Sequence, residues 1–356
     1  MMHSNGIDHI ELYVADLTQA ADLFCGQYGF AVVAATDPAG TDRRSLLLSQ
    51  GTADLVLTAG VTGSSEVDAF VAAHGDGVRT VALRVPDAAQ AFAQAVRGGA
   101  TAIAAPREEQ GVVVATVSGV ATIAHTFVER RTEGALLPGF HALGSAQGRP
   151  EEPALIEGID HLAICLPRGT LQAAEEFYRS TLGMHRTFTE YVELGAQAME
   201  SVVVEDSSGQ VTFTLVAPDC ADGQLVSFLN SFSAGGVQHL AFRTDRILRA
   251  VPELAERGVR FLSTPTSYYD ALPTRLGYSE AETDALAEFG VLADRDPWGD
   301  LLQVFTRSPF SRRTVFFELI ERRRARTFGS ANVRALYEAA EHERQGQLIG
   351  AGGERR

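Results

Sequence analysis

The segments GIDHIELYVADLTQAADLFCGQYGF (Gly6–Phe30) and GIDHLAICLPRGTLQAAEEFYRSTLGM (Gly158–Met184) are two versions of one pattern. Each opens on Gly-Ile-Asp-His, runs through an apolar strand-like stretch, and enters an amphipathic helix that a glycine stops. A second pair follows in each half. HGDGVRTVALRVPDAAQAFAQAVRGGA, from His74, parallels SAGGVQHLAFRTDRILRAVPELAERGV, from Ser233. Both read as glycine-rich turn, strand and glycine-stopped helix. Short β-rich runs fill the spaces between, among them ADLVLTA, GVVVATVS, VTFTLVAP, LLQVFT and TVFFELIE. The chain therefore holds four units of strand, helix and further strands, two in each half. A repeat this long is a duplicated domain rather than a solenoid. The expected class is α+β, with sheets curved around a cavity.

The stretch from Leu137 to Gly158 is rich in Gly, Pro and small residues and reads as a linker. It divides the chain near residue 150, into domains 1–150 and 151–356. PTSYYDALPTRLG from Pro265 and RTFGSAN from Arg326 read as loops beside a cavity. ANVRALYEAAEHERQ reads as a helix over the mouth of the C-terminal half.

Over 356 residues, 45 acidic side chains against 30 basic ones give a net charge of −15. That charge repels phosphate backbones and anionic membrane surfaces, so neither nucleic acid nor a membrane is an expected partner. No apolar run approaches the roughly 20 residues that span a bilayer. The N-terminus lacks the basic-then-apolar pattern of a secretory signal. Cys25, Cys165 and Cys220 show no C-x-x-C spacing, which argues against a disulfide framework or a thiolate zinc site. Cys25 and Cys165 are expected as small core residues, in keeping with a reducing cytoplasm.

The two halves differ where chemistry would sit. His9 and His161 hold the same place in the first strand of their halves. In the second unit, however, Val237-Gln238-His239 aligns with Val78-Arg79-Thr80, so only the C-terminal half has a second strand histidine. Its last strand, TVFFELIER, places Glu318 among apolar neighbours, whereas HTFVER puts Thr126 at the matching position. Strand alternation groups His161 with Ala163 and Cys165, His239 with Val237 and Ala241, and Glu318 with Phe316 and Ile320. One cavity can then receive all three polar side chains. Two imidazoles and a carboxylate form the facial triad of non-haem Fe(II) oxygenases, although the donor set suits other divalent ions too. A single histidine on an apolar strand is usually a packed core or rim residue, and His9 is read that way. Glu318 is harder to dismiss, because carboxylates are rarely buried without a cation or partner. The remaining histidines, His3, His74, His125, His141, His185 and His342, show no comparable grouping and are expected on the surface or in turns.

At these residues the sequence resembles a known family. GIDHLAICL, GVQHLAFRT, LLQVFT, TVFFELIER and TFGSANVRALYEA together resemble the 4-hydroxyphenylpyruvate dioxygenase family of the vicinal oxygen chelate superfamily, and the N-terminal half matches as well. The resemblance implies two domains, each of paired βαβββ modules forming an open barrel, with a C-terminal closing helix. It implies an N-terminal domain without metal and a catalytic C-terminal domain. It places iron ligands on His161, His239 and Glu318, with Fe(II) as cofactor and 4-hydroxyphenylpyruvate and O₂ as substrates. The family's pocket amides fall on Gln224, Gln238 and Gln303, its serine on Ser201, its aromatic positions on Phe305, Phe316 and Phe328, and its final-helix asparagine on Asn332. A homodimer in contact through the N-terminal half also fits the resemblance.

Two departures bear on the product. Enzymes of the family that form homogentisate carry Pro-(Ile/Leu)-Asn where this chain has Thr214-Leu215-Val216. They carry Gly-Asn-Phe where it has Ala331-Asn332-Val333. Both changes, with the GAQAM and FGSAN runs, resemble the branch that forms 4-hydroxymandelate on the way to hydroxyphenylglycine in antibiotic biosynthesis. Loss of an amide at Val216 and of a phenyl group at Val333 is expected to turn the benzylic carbon toward the metal. Displacements of about 1 Å are enough to redirect a reaction. The alternatives are homogentisate formation and, from another class, a metal-free ligand-binding protein of the same superfamily.

Overall fold

Apolar strands and glycine-stopped helices assemble here as two mixed sheets, one per half. The computed structural model describes residues 4–37, 40–143, 154–194, 197–329 and 331–335. Among these, the first sheet consists of β1 (Ile7–Tyr13), β2 (Ala31–Thr36), β3 (Arg43–Gln50), β4 (Ala53–Gly60), β5 (Gly77–Arg84), β6 (Ala102–Glu109), β7 (Val112–Ser118), β8 (Ala124–Arg130) and β9 (Phe140–Ala142). The second consists of β10 (Gly158–Cys165), β11 (His185–Leu194), β12 (Gln197–Glu205), β13 (Thr212–Pro218), β14 (Gly236–Arg243), β15 (Leu292–Arg295), β16 (Asp300–Phe305) and β17 (Phe316–Arg323). Their orders are β6-β7-β8-β5-β1-β4-β3-β2-β9 and β11-β12-β13-β10-β14-β17-β16-β15. In each sheet two four-stranded modules join through an antiparallel central pair, β1 with β5 and β10 with β14, and β9 adds a ninth strand beside β2 in the first. This is the duplicated βαβββ architecture. The expected boundary near residue 150 lies outside the described residues.

The helices follow local chemistry. Asp16 and Asp87 accept backbone N–H groups at the starts of Leu17–Asp22 and Ala88–Arg97, and Ser65 with Asp68 forms a reciprocal capping box at Glu66–His74. Gly183, at φ 70°, ends the helix Leu171–Leu182 in a left-handed conformation that favours glycine. The segment from Pro265, expected as loop, instead forms two short helices, Thr266–Asp270 and Leu272–Leu276. Tyr269 of the first and Leu272 of the second are buried, so packing overrides the turn-like composition. Of the expected closing helix, 331–335 is helical and its remainder lies outside the described residues.

One apolar core joins the halves. Phe24, Tyr28 and Phe30 of the first half pack against Phe242 and Phe317 of the second, with ring centroids 5.1–6.3 Å apart. His125, expected at the surface, is fully buried. It stacks on Phe213 and meets Tyr178 edge-on, and burial pushes its pKa down to about 4. His74 is also partly buried, stacked on Phe232. Cys165 is buried and Cys25 only partly so. Among the described residues, no helix is long and apolar enough to cross a membrane.

Candidate metal centre

Two breaks in the register of β10 and β14 shape the site. Ile159 pairs with Phe242 but His161 with Ala241, which makes Asp160 an extra residue; Ala163 pairs with His239 but Ile164 with Val237, which makes Gln238 another. Bulges of this kind re-aim side chains. The expected grouping of Val237 with His239 and Ala241 therefore fails. Val237 enters the main core with Leu240 and Phe242, and Gln238 and His239 both line the same cavity. The alignment of Glu318 with Thr126 agrees with the register, since Ala241 pairs with Glu318 as Ala82 pairs with Thr126.

His161, His239 and Glu318 each bring one ligand-type atom to within 4.8 Å of the others. Glu318 Oε2 lies 3.5 Å from His161 Nε2 and 3.4 Å from His239 Nε2. Ligand atoms about 2.0–2.2 Å from one centre have separations of this size. Three donors this close, all buried, fit a divalent cation between them. In the first half Thr80 and Thr126 stand at the corresponding places, and their hydroxyls bond Glu11 and Thr116.

The groups around the triad fix it. Asp160 Oδ1 lies 2.8 Å from His161 Nδ1, and Arg322 donates to both oxygens of Asp160 at 2.8 Å. That leaves His161 Nε2 for the Glu318 side. Burial alone would raise the Asp160 carboxyl, but Arg322 and His161 hold it well below its usual range. Burial would likewise lower His161, yet the charge of Glu318 and the bond to Asp160 push it up to about 8. His239 goes the other way, lowered by burial and then by the charge on His161. Its Nδ1 is buried without a hydrogen-bond partner among the described residues. Gln303 Nε2 donates to Glu318 Oε1 at 2.8 Å, so Oε2 remains for the histidine side.

The cavity above the triad is lined by Ser201, Thr214, Val216, Gln224, Gln238, Gln303, Phe305, Phe328 and Val333, all singled out from the sequence. Two others stand behind it. Phe316 packs against the His239 ring at 5.0 Å, and Asn332, fully buried, donates to Gln303 Oε1 at 2.8 Å. Phe328 meets the His161 ring edge-on at 4.7 Å. Val216 and Val333 share an apolar cluster with Cys165, Met199 and Leu225. The Thr214 hydroxyl is buried and has no hydrogen-bond partner among the described residues.

The sequence reading missed Phe188, Glu190, Met199 and Val203 as lining residues. Met199 and Val203 flank Ser201 at the two-residue period of a strand, a signal that was available. It also missed Asp160 and Arg322, although Asp8 and Arg130 repeat the same ion pair in the first half. A larger polar cleft lies between the halves behind Asp160. Two of its arginines face acids, Arg84 with Asp8 and Arg322 with Asp160, which makes it an ionic seam rather than a pocket for an apolar ligand.

Comparison with known proteins agrees with this geometry. Residues 1–139 match the family described as "Hydroxyphenylpyruvate dioxygenase, HPPD, N-terminal". Residues 158–303 match the "Glyoxalase/Bleomycin resistance protein/Dioxygenase superfamily". The chain is 31% identical to 4-hydroxyphenylpyruvate dioxygenase of Dictyostelium discoideum over 96% of its length and 98% of the relative's. It is 30% identical to the Caenorhabditis elegans enzyme of that name, over 94% and 91%. Among solved structures, a triple variant of 4-hydroxymandelate synthase from Streptomyces coelicolor superposes with a TM-score of 0.89 at 42% identity, over 97% of this chain and 100% of that one.

Proposed function

Because the chain belongs to the hydroxyphenylpyruvate dioxygenase family, we propose that it is the Fe(II)-dependent enzyme that converts 4-hydroxyphenylpyruvate and O₂ to 4-hydroxymandelate and CO₂. His161, His239 and Glu318 hold the metal in this reading, and the first half is a structural partner without a metal of its own. When bound there, the ion would supply O₂ activation and a Lewis acid for the substrate's keto and carboxylate oxygens. The protein's residues do the rest. Asp160 and Arg322 hold His161 with Nε2 pointing inward, the orienting role that a carboxylate commonly plays for a metal-bound imidazole. Gln303 keeps Glu318 turned the same way. Phe305 and Phe328 offer ring faces and edges to an aryl group and exclude water from it. Ser201, Thr214, Gln224 and Gln238 provide hydroxyl and amide groups for the substrate's polar ends.

The observation that favours benzylic hydroxylation over ring attack is the shared wall of Val216 and Val333. Neither residue offers a polar anchor, and neither has the bulk of a phenyl ring. An aryl group against this wall would have room to tilt, which favours presentation of its CH₂ over its ring carbon. The 42% identity to a 4-hydroxymandelate synthase supports the same branch. The test is oxygen uptake by the Fe(II)-loaded protein with 4-hydroxyphenylpyruvate, followed by chromatography. 4-Hydroxymandelate is the expected main product, and homogentisate in its place overturns the assignment.

A further inference from the structure

Glu318 is the end of a chain of hydrogen bonds that begins outside the cavity. As a carboxylate it can only accept, so Gln303 must turn Nε2 toward Glu318 Oε1, at 2.8 Å, and Oε1 toward Asn332. Asn332 must then donate Nδ2 to Gln303, at 2.8 Å, and leave its Oδ1 as an acceptor. The Tyr268 hydroxyl meets that Oδ1 at 2.6 Å. The hydroxyl has one proton and two acceptors in reach, this Oδ1 and the Ala293 carbonyl at 2.8 Å; Arg275 also donates to that carbonyl, which leaves the proton for the shorter contact to Asn332. Its lone pairs accept from Ala293 N–H at 2.8 Å and from Arg275 at 3.1 Å, and Arg275 also satisfies the Ala293 carbonyl. Each amide orientation is forced by its neighbour.

The chain ties three separate pieces of structure together. Tyr268 belongs to the short helix Thr266–Asp270, Ala293 to β15, and Asn332 to the turn 331–335, whose next residue, Val333, lines the cavity. The turn is also held by Asp294, which accepts from Ala331 N–H at 3.1 Å, and by Arg334, which donates to the Glu193 carbonyl at 3.0 Å. We propose that Tyr268 is a positioning residue that couples the closing turn to cation occupancy at Glu318, through Asn332 and Gln303. The proposal rests on the metal reading given above. A cation on Oε2 would stop the carboxylate from exchanging its two oxygens, which fixes the partner of Gln303 and, through it, the amide orientations outward to Tyr268. Occupancy then holds Val333 and its neighbours against the cavity. By thermodynamic reciprocity, the latch must strengthen cation binding by the same factor by which the cation strengthens the latch.

The test uses the full chain with Co(II), a redox-stable probe, and reads amide hydrogen exchange over 326–335 together with the Co(II) binding isotherm. In the wild type, Co(II) is expected to slow exchange in this segment by about tenfold, the worth of one well-made hydrogen bond. Tyr268→Phe keeps the ring beneath Arg275 and removes only the hydroxyl. In that variant the Co(II)-dependent slowing is expected to fall below about twofold, with a matching rise in the Co(II) dissociation constant. Gln303→Leu cuts the chain at its other end and is expected to abolish the slowing even where the Tyr268 contact persists, so the test survives a Tyr268 variant that fails to fold. Undiminished slowing in either variant, or none in a wild type that binds Co(II), overturns the coupling. A wild type that binds no Co(II) overturns the metal reading itself, and with it the coupling; the isotherm separates the two failures.

Discussion

Asp160 Oδ1 lies 2.8 Å from His161 Nδ1, inside a bulge that makes Asp160 an extra residue in its strand. The bulge lets two successive side chains, a carboxylate and an imidazole, face each other instead of pointing to opposite sides of the sheet. Asp160→Asn keeps the shape and removes the charge that orients the ring and makes it more basic. Loss of such a partner typically costs 10- to 100-fold, and a weakening of about that size is expected in the Fe(II) or Co(II) dissociation constant. Calorimetric titration checks it, and an unchanged constant would mean that the ring is held by packing alone.

Metal uptake should depend on pH with a definite sign. In the metal-free protein His161 is raised to about 8. Below that pH it bears a proton that must leave before Nε2 can bind a cation. Affinity is therefore expected to fall by about tenfold per pH unit below 8 and to level off above it. Asp160→Asn removes one of the groups that raises His161 and should move the break to lower pH. Co(II) titrations from acidic to alkaline pH, carried out on both proteins, measure the two breaks.

Glu318 is buried to 1% exposure with two imidazole nitrogens on its inner side. Glu318→Gln preserves its volume and a carbonyl acceptor for Gln303 but removes the anion. Turnover of 4-hydroxyphenylpyruvate should be abolished while the far-ultraviolet circular dichroism spectrum stays that of the wild type. Retained oxygen uptake would remove Glu318 from the metal's ligand set.

The duplication made much of this legible in advance. With GIDH in both halves and GVRTVALR against GVQHLAFR, one half served as a control for the other, and the differences at Thr80 and Thr126 pointed to His239 and Glu318. Strand alternation failed where the chain departs from alternation. Gln238 and His239 face the cavity together because of a bulge that no single-residue pattern announces. His125 was misread for a related reason: what buries it is Tyr178 and Phe213, from the other half, about 50 and 90 residues away in sequence. Phe188 and Glu190 reach the cavity from β11, an edge strand whose partners composition does not reveal.

That burial of His125 has a consequence for stability. Its pKa is lowered to about 4 in the folded protein, against 6.5 when exposed. Between those values the unfolded chain takes up a proton that the folded one refuses, so stability present above pH 6.5 is lost as the pH falls toward 4. The loss attributable to this one group is on the order of 3 kcal/mol. His125→Phe keeps a ring between Tyr178 and Phe213, and Tyr178 keeps its bond to the Val120 backbone. Denaturant unfolding of both proteins at pH 7 and pH 4.5 should show a smaller drop for the variant, and equal drops would assign the acid sensitivity elsewhere.

Product choice is expected to follow the wall formed by Val216 and Val333. Val216 lies on β13 directly opposite Ser201, and Val333 follows Asn332 in the closing turn. Both belong to one apolar cluster and line the same cavity although 117 positions separate them in the sequence. Val216→Asn restores an amide that can anchor a polar end of the substrate, and Val333→Phe restores a ring that limits tilting. Singly, each change should raise the share of homogentisate modestly, because either the anchor or the bulk is still missing. Together they should act more than additively, since residues that share one contact surface couple. The measurement is the ratio of homogentisate to 4-hydroxymandelate at equal oxygen consumption. A double variant that still makes only 4-hydroxymandelate at wild-type rate would show that the benzylic position is selected elsewhere in the cavity, with Phe188 and Met199 the next residues to exchange.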